Sequence, residues 1–446
     1  MRCAEADRQY GDQSFFSWHA SDDSQQFRMQ RVECTVHFVS IMIRMPILFD
    51  KHILLGVTGS IAAYKGADLA SKLAQAGALV DVVLTPSAEK FVKPLTFQSV
   101  TGRRAYTDAD LWGNESHVLH VGLGHSADLL VIAPCTANTL AKLAHGEADN
   151  LLAVTALAAQ CPLLIAPAME SNMFAHPATQ ANLATLTERG AYLAGPAEGH
   201  LASGQSGRGR MLETDELLGH IRLVLGQKGL LAGKKIVITA GGTHEPLDPV
   251  RVLTNRSSGK QGYALAQAAI EAGAQVCLIT TVNMAPPVGA RVVEVRTAQE
   301  MLEAVLEEVA TAEALIMAAA VADFRPEKVA ESKLKRRDGI PLVELEAAPD
   351  ILGTVAGLEP GKKRLKVVVG FAAESRDLLE NATIKLQSKK LDIIAANDIS
   401  ATDAGFSVDT NRVTLLYSDG KNEVLPLMSK FEVAETILAR VAALLE

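Results

Sequence analysis

Several residue classes are scarce in this 446-residue chain, and each shortage argues against a class of protein. Aromatic residues make up only 4% of the sequence, which leaves little for the stacking surfaces that hold nucleic-acid bases. The formal net charge is −8, so the chain lacks the positive field of a general polyanion binder. We therefore expect no nucleic-acid partner, and any phosphate-bearing ligand must be held by local groups.

Cysteine and long apolar runs are also sparse. The cysteines are Cys3, Cys34, Cys135, Cys161 and Cys277; they are odd in number, scattered and without a Cys-x-x-Cys pair. This pattern suggests neither a disulfide framework nor a zinc site and fits a reducing compartment. No apolar run reaches the roughly 18 residues of a membrane span, and the N-terminus lacks a secretion-signal pattern. The absences together predict a cytoplasmic protein with no membrane partner.

What the chain does contain is a globular composition, with 48% hydrophobic and 21% charged residues. Its length suits two or three domains, each with a full core. Residues 1–44 have no periodicity before a short apolar run at 36–43. We interpret residues 1–48 as an N-terminal extension that is disordered and carries no function.

From Lys51 onward, strands alternate with glycine turns and helices, which is typical of a parallel, doubly wound α/β sheet. The predicted strands are His52–Val57, Leu79–Leu84, Asp128–Ala133, Pro162–Ala166, Lys235–Thr239, Ala314–Met317, Lys366–Val369 and Leu391–Ala395. Segments AGALVDVVLT around Gly77 and AGAQVCLITT around Gly273 repeat the same helix end and second strand. The sequence thus predicts two tandem flavodoxin/Rossmann-like domains, residues 49–228 and 229–446, divided in the helical stretch 212–231.

The turn after the strand at Lys235 begins the most informative stretch of the chain. The strand ends in Ala240-Gly241-Gly242, and Asn255-Arg256-Ser257-Ser258-Gly259-Lys260 leads into a helix predicted over Tyr263–Glu271. Hydroxyls, free N–H groups and cations converge on a helix start, which favours an anion site. The Gly-x4-Gly-Lys-Ser/Thr spacing of a Walker loop is missing. The glycine turn alone could still be simple loop geometry.

The first half has a similar turn, Gly56-Val57-Thr58-Gly59-Ser60-Ile61. It lacks the Gly-x-Gly-x-x-Gly order of a dinucleotide fingerprint, and the second strand ends in Leu84-Thr85-Pro86-Ser87 without an acidic residue. This favours a mononucleotide over NAD. A plain strand–helix turn remains the alternative from spacing alone.

Longer strings are more specific than either turn. The second half resembles the CTP-dependent phosphopantothenate–cysteine ligases of coenzyme A biosynthesis from Gly233 nearly to Glu446. The most specific string is TAGGTHEPLDPVRVLTNRSSGKQG. GVTGSIAAYK, HVGLGHSADLLVIAPCTANTLAKL and SGRGRM, between Lys51 and Met211, resemble the usual fusion partner, the flavin-dependent phosphopantothenoylcysteine decarboxylases. The resemblance implies that CTP activates 4′-phosphopantothenate as an acyl-cytidylate, that cysteine displaces CMP, and that the product is decarboxylated to 4′-phosphopantetheine.

The resemblance also assigns residues in the first half. It implies that FMN is held by Gly59, Ser60, Ile61, Ser87, Thr136 and Asn138. It makes His120 the active-site base, whereas the residues alone do not distinguish His120 from His117 and His125, each of which could be a surface histidine. We place His120 in a short loop before the strand at Asp128.

Two positions depart from the decarboxylase pattern. The family's Pro-Ala-Met-Asn is Pro167-Ala168-Met169-Glu170 here, and the flap position often occupied by cysteine is Ser203. A thiol is a better proton donor than a serine hydroxyl at neutral pH. We expect a subfamily in which Glu170 holds substrate and another group supplies the proton. The alternative is an active ligase half joined to an altered or regulatory decarboxylase half.

In the second half the resemblance assigns the cytosine to Asp323 and Phe371, and the acyl-cytidylate to Arg251 and the catalytic Asn255. Three lysines are assigned to the phosphates: Lys333, which is also catalytic, Lys385 and Lys389. Mg²⁺ is expected to bridge the triphosphate, with its protein ligands left open. Solvated lysines and a helix-capping aspartate are the ordinary alternatives. A homo-oligomer is expected.

Overall fold

The computed structural model describes residues 46–112, 118–336, 340–358, 365–374, 377–398 and 408–446. Residues 1–45, most of the predicted extension, lie outside these ranges. Leu48 is only 1% exposed and packs in the core of the first half, so that core begins one residue before the predicted boundary.

The first half is built on a six-stranded parallel sheet with the order β3-β2-β1-β4-β5-β6. Its strands are β1 (His52–Val57), β2 (Leu79–Leu84), β3 (Ala105–Tyr106), β4 (Leu129–Cys135), β5 (Leu163–Pro167) and β6 (Tyr192–Leu193). A separate antiparallel hairpin follows, formed by β7 (Ala197–His200) and β8 (Ser206–Arg210).

Eight helices accompany these strands in the described part of the first half. They are α1 (Ala63–Gln75), α2 (Pro94–Thr101), α3 (Leu119–Ser126), α4 (Ala137–His145), α5 (Leu151–Ala158), α6 (Ser171–Ala175), α7 (Pro177–Glu188) and α8 (Thr214–Gly226), with 3₁₀ turns at Ala88–Lys90 and Asp108–Asp110. Alternate strand residues point to opposite faces: Ile53 and Leu55 pack beneath α1 and α8, whereas Leu54 packs beneath α5 and α7. Because both faces are covered, the strands read as continuous apolar runs.

The second half repeats this topology. An eight-stranded sheet has the order β13-β12-β9-β14-β17-β18-β20-β21, in which the first six strands are parallel and the last two are antiparallel. The strands are β9 (Lys235–Ala240), β10 (His244–Pro246), β11 (Val252–Thr254), β12 (Gln275–Thr280), β13 (Arg291–Glu294), β14 (Ala314–Met317), β15 (Phe324–Pro326), β16 (Leu345–Ala347), β17 (Val367–Glu374), β18 (Ile393–Asp398), β19 (Thr410–Asn411), β20 (Val413–Tyr417), β21 (Asn422–Val424) and β22 (Met428–Ser429). The helices are α9 (Lys260–Glu271), α10 (Ala298–Val309), α11 (Ile351–Ala356), α12 (Leu378–Ser388) and α13 (Lys430–Leu445).

The predicted fold class, two doubly wound and mostly parallel sheets in tandem, is confirmed. Local details differ. Helix α9 begins at Lys260, three residues before the predicted start, because Gly259 adopts a left-handed φ of 76° and turns the chain directly into the helix. His120 lies in α3, not in the predicted loop. The antiparallel strands β20 and β21 were not predicted.

Helix α8 joins the two halves through close packing. Its apolar residues Leu217 and Ile221 belong to the first core, and the helix also contacts α9 of the second half. A Cβ on Gly229 would lie 2.3 Å from the carbonyl oxygen of Ala272. Leu231 then donates its N–H to the same oxygen at 2.8 Å and enters the second core. The junction is therefore part of the packed structure.

Candidate active sites

In both halves the order of the parallel strands reverses next to the central strand, and ligands of such sheets bind beyond the carboxyl ends of the strands at this reversal. In the first half the reversal lies between β1 and β4. The loop after β1 begins α1, whose N-terminus has no side-chain cap. Within the described ranges, the N–H groups of Gly59 and Ile61 have no hydrogen-bond acceptor. Unpaired N–H groups at a helix start suit a phosphate.

Close packing brings the loop after β2 to this helix start. A Cβ on Gly59 would lie 2.4 Å from the Cβ of Ser87, so a larger residue at position 59 would separate the two loops. Ser60 accepts a hydrogen bond from the N–H of Ala62 at 3.3 Å, which shapes the turn. The structure thus places Gly59, Ser60, Ile61 and Ser87 together, as the FMN prediction requires.

A threonine connects this turn to the loop after β4. Thr58 donates its hydroxyl to the carbonyl oxygen of Pro134 at 2.8 Å and accepts from the N–H of Thr136 at 3.1 Å. Thr136 caps α4 by accepting from the N–H of Thr139 at 3.3 Å. Asn138, in the first turn of α4, is exposed at the same edge of the sheet. The loops after β1, β2 and β4 therefore form one site.

The position of His120 follows from the topology. Asp128, two residues after α3 ends, donates its N–H to the carbonyl oxygen of His52 at 2.8 Å, so the end of α3 lies toward the amino edge of the sheet, where β1 begins. Since a helix that connects parallel strands runs back along the sheet, we infer that the start of α3 lies toward the carboxyl edge. His120 is the second residue of α3 and is half-buried, whereas His125 is near the end of the helix and exposed. Topology therefore favours His120 over His125 for a site at the carboxyl edge. His117 lies outside the described residues.

Glu170 lies at the start of α6. Its carboxylate caps α6 by accepting from the N–H groups of Asn172 at 2.8 Å and Met173 at 3.2 Å, and from the hydroxyl of Ser171 at 2.9 Å. Burial acts to raise the pKa of Glu170, but these hydrogen bonds outweigh it and hold the pKa below its ordinary value. Capping is the contact seen for this carboxylate, and its predicted contact with substrate stays a prediction.

Ser203 lies in the exposed turn between β7 and β8. The base of this hairpin is attached to the segment after β5, because the N–H of Met169 donates to the carbonyl oxygen of Gly209 at 3.0 Å. Arg208 stacks on the ring of Phe174, with its guanidinium carbon 5.4 Å from the ring centre. The hairpin is thus anchored at its base, while its tip carries Ser203.

The second half contains a cavity of about 690 Å³ beyond the carboxyl ends of its central strands. The residues that line it come from the start of α9 and the loop before it, the loops after β14 and β16, the strands β17, β18 and β19, and the helices α11, α12 and α13. Five of the predicted site residues line it: Asn255, Asp323, Phe371, Lys385 and Lys389. Arg251 and Lys333 do not line it, and both are exposed.

Asn255 connects two walls of this cavity. Its side-chain amide donates to the carbonyl oxygens of Ala320 at 3.2 Å and Val321 at 3.1 Å. A Cβ on Gly242 would lie 2.7 Å from the carbonyl oxygen of Asn255, so glycine is needed for this close approach. The predicted catalytic amide therefore holds the loop after β14.

Lys385 of α12 and Lys389, the residue that follows this helix, also have contacts within the wall. Lys385 donates to the carbonyl oxygen of Phe371 at 2.9 Å. Lys389 forms an ion pair with Asp350, which itself caps α11 by accepting from the N–H of Gly353 at 2.9 Å. Burial acts to raise the pKa of Asp350, but Lys389 and the Gly353 N–H hold it below the ordinary value.

The cavity wall also contains Lys260, which belongs to the anion-binding turn predicted from the sequence. Three further polar residues of the wall were not among the predicted site residues: Asn397, Asn411 and Lys430. Lys430 is only 6% exposed, and its burial, with Lys260 nearby, lowers its pKa. Asn397 is 7% exposed, and its side-chain oxygen has no hydrogen-bond partner among the described residues. The Ser429–Glu432 capping box could have predicted from the sequence that a helix begins at Lys430. Nothing in the neighbouring sequence indicates that this lysine is buried.

The described residues contain no group of three or more His, Cys, Asp or Glu side chains able to hold a metal ion. None of their helices is both long and apolar enough to cross a membrane.

Family models match both halves. The model described as "Flavoprotein" matches residues 48–225, and the model described as "DNA/pantothenate metabolism flavoprotein C-terminal domain" matches residues 231–445. The Bacillus subtilis coenzyme A biosynthesis bifunctional protein CoaBC is 45% identical over 401 residues, 89% of this chain and 98% of the relative. Its Vibrio cholerae counterpart is 44% identical over 397 residues, 88% and 98% of the two chains. The Mycobacterium bovis counterpart is 43% identical over 408 residues, 89% and 97%.

Fold, sites and family models together define a flavoprotein domain fused to a second, cation-lined Rossmann-like domain. Close relatives match along nearly their whole length. The chain belongs to the family of coenzyme A biosynthesis bifunctional proteins. It is a bifunctional enzyme with a decarboxylase half and a ligase half, as predicted.

Proposed function

We propose that the second half couples 4′-phosphopantothenate to cysteine at the expense of CTP, and that the first half uses FMN to decarboxylate the product to 4′-phosphopantetheine. The division is proposed at residues 228/229. The observation that carries the ligase assignment is the 690 Å³ cavity, which gathers Asn255, Asp323, Phe371, Lys385 and Lys389 around the start of α9.

The ligase step needs charge neutralisation and alignment. A carboxylate oxygen of phosphopantothenate attacks the α-phosphorus of CTP, and the bond to the β-phosphate breaks to release pyrophosphate. The amine of cysteine then attacks the acyl carbon, loses a proton and displaces CMP. Lys385 and Lys389 lie in the cavity wall, where they can offset phosphate charge. Lys333 is exposed on the segment after β15, outside the cavity wall, and is proposed to face the departing pyrophosphate.

Mg²⁺ is proposed to be bound chiefly by the triphosphate. Mg²⁺ at nucleotide sites is commonly held by substrate phosphates, waters and one or two carboxylates. The cavity wall supplies Asp323 and Asp350, and Asp350 is already paired with Lys389. This donor set fits a metal that arrives with CTP.

The residues of the first site fit FMN. The free N–H groups of Gly59 and Ile61 suit a single phosphate, and the side chain of Ile61 is 61% exposed, so it can cover a flat ring. Bound FMN would supply oxidation of the substrate's thiol-bearing carbon and later return the hydride equivalent. Ser60, Ser87, Thr136 and Asn138 would orient the cofactor, and His120 would accept the proton from the substrate.

An altered or regulatory first half is the second candidate, because Ser203 replaces a thiol and the Glu170 carboxylate caps α6. The retained His120 and the assembled loops after β1, β2 and β4 support an active decarboxylase instead. Supplying phosphopantothenoylcysteine to the purified yellow protein separates the two: CO₂ release at a catalytic rate supports the proposal, and flavin binding without CO₂ supports regulation.

The complete reaction tests both halves. Full-length protein with Mg²⁺, phosphopantothenate, cysteine and CTP is expected to form pyrophosphate, CMP, CO₂ and phosphopantetheine in equal amounts. Omitting cysteine should leave pyrophosphate release limited to one turnover per site. Formation of AMP when ATP replaces CTP, at the rate seen for CMP, would overturn the nucleotide assignment. The cytoplasmic location and the homo-oligomeric state stay predictions.

A further inference from the structure

A buried carboxylate, Asp248, lies in the loop between β10 and β11, outside the cavity wall. The residue is 2% exposed, and both of its oxygens have partners. Oδ1 accepts from the N–H groups of Val250 at 2.7 Å and Arg251 at 2.8 Å. Oδ2 accepts from the N–H of Leu334 at 3.1 Å and faces the guanidinium of Arg251 at 3.6 Å.

The contacts of Oδ1 are local and form an ordinary aspartate turn. The contact of Oδ2 with Leu334 is different, because the two residues are 86 positions apart. A second link supports it, since the N–H of Ala330 donates to the carbonyl oxygen of Leu247 at 3.1 Å. The segment after β15 is thus attached to the β10–β11 hairpin at two points.

This attachment connects two of the predicted ligase cations. Arg251 follows Asp248 by three residues, and Lys333 is the residue immediately before Leu334. Both cations are exposed and neither lines the cavity, so their relative position depends on the backbone that carries them. Burial acts to raise the pKa of Asp248, but the N–H groups of Val250, Leu334 and Arg251 hold it below the ordinary value.

We propose that Asp248 is a positioning residue of the ligase, whose carboxylate holds the Arg251 hairpin and the Lys333 segment in one arrangement so that both cations reach the same acyl-cytidylate. The proposal rests on the proposed ligase function. Asparagine has nearly the same shape, but its nitrogen cannot accept a hydrogen bond. Asp248→Asn therefore breaks one side of the connection and removes the charge facing Arg251.

The test measures pyrophosphate release by rapid quench in full-length protein. Since misplacement of a positioned group can cost about 100-fold, Asp248→Asn should slow acyl-cytidylate formation by about 10- to 100-fold. The KM for CTP should change less than about twofold, because Asp248 lies outside the cavity wall, and CO₂ release from supplied phosphopantothenoylcysteine should be unchanged. Loss of both activities, or a change in KM alone, would overturn the proposal.

Glu308→Gln is the matched control. Glu308 is also buried and pairs with Lys235 at 2.8 Å and with Arg291, but it lies at the opposite, amino edge of the same sheet. This variant should keep the wild-type rate of pyrophosphate release. If it slowed that rate as much as Asp248→Asn does, the effect would be general to buried carboxylates and the positioning role would be wrong.

A double variant tests the route of action. If Asp248 acts through Lys333, adding Asp248→Asn to Lys333→Gln should slow the reaction less than about threefold further, because effects in one connected unit are not additive. Multiplied losses would show independent action and overturn the proposal. Wild-type protein that releases no pyrophosphate from CTP would instead refute the proposed function, so the two failures are distinguishable.

Discussion

The two halves share the order of their six parallel strands, yet their candidate sites are built from different groups. The first site uses backbone N–H groups and hydroxyls of loops that approach closely, as Gly59 and Ser87 do. The second uses four cationic side chains around a cavity: Lys260, Lys385 and Lys430 from the helices α9, α12 and α13, and Lys389 from the residue after α12.

The difference corresponds to the ligands proposed for each half. A resident FMN has one terminal phosphate that stays in place, and fixed N–H groups can bind it without net charge from side chains. A triphosphate brings several charges and loses two phosphates during the reaction, so cations that offset developing charge are more useful. The same sheet order thus serves permanent binding in one half and group transfer in the other.

The largest effect is expected for His120→Asn, which tests whether the two halves act independently. Loss of a positioned proton acceptor commonly costs about 10²- to 10⁴-fold. CO₂ release should fall by this factor, while flavin content and pyrophosphate release remain at wild-type levels. His125→Asn is the control and should be nearly wild type, since His125 is exposed near the far end of α3. A dead His125 variant with an active His120 variant would refute the topological assignment.

Lys333→Gln should slow acyl-cytidylate formation by about two to three orders of magnitude, because a positioned cation is lost where pyrophosphate departs. Decarboxylation of supplied phosphopantothenoylcysteine should be unaffected. Quenched reactions with labelled CTP measure pyrophosphate directly. Lys421→Gln, which removes an exposed lysine paired with Asp419 away from the cavity, serves as the control. Native rates for the Lys333 variant would remove this residue from the mechanism.

Asn255→Asp is expected to release pyrophosphate once per site and then stall with the acyl-cytidylate bound. The structure adds a physical reason, because a carboxylate cannot donate to the carbonyl oxygens of Ala320 and Val321. Leaving such groups unpaired costs about 1–3 kcal/mol, so CMP release should slow by about 10- to 100-fold. Measuring pyrophosphate and CMP separately checks this; normal CMP release would contradict it.

Glu170→Gln should lower the melting temperature of the first half at neutral pH, because a neutral amide caps α6 less well than a carboxylate. Hydrogen bonds hold the Glu170 pKa below its ordinary value, so its stabilisation is present above that value and lost as the pH falls through the lower, folded-state pKa. The difference from wild type should therefore shrink in acid. A difference that grows in acid would contradict the cap.

The smallest effect is expected for Ser203→Ala, since Ser203 lies in an exposed turn and we expect another group to supply the proton. CO₂ release should fall less than about threefold, because a serine hydroxyl is a poor proton donor at neutral pH. Ser203→Cys should be tolerated. Mass spectrometry can detect an oxidised intermediate. If this intermediate accumulated in the alanine variant, the serine would be the proton donor.

Continuous aliphatic runs ending in glycine or polar turns made the central strands predictable. His52–Val57, Leu79–Leu84 and Ala314–Met317 have the predicted ends. Predictions failed where the structure depends on contacts between residues far apart in the sequence. Strand β20 is mostly buried but only five residues long, and β21 has three residues and is mostly exposed, so neither carries a long periodic signal. The burial of Asp248 and Lys430 depends on residues far away in the sequence. Family motifs assigned chemical roles to single residues, but they did not show which carboxylates cap helices.

The packed junction after α8 has a consequence for how the intermediate is handed over. Flexible linkers raise encounter frequency because their length sets an effective concentration. Here Gly229 lies against Ala272, and Leu231 already packs in the second core. The connection between the halves is therefore not a flexible linker. We therefore expect phosphopantothenoylcysteine to reach the flavin site by its own diffusion, and unlabelled intermediate added to the solution should compete with it there.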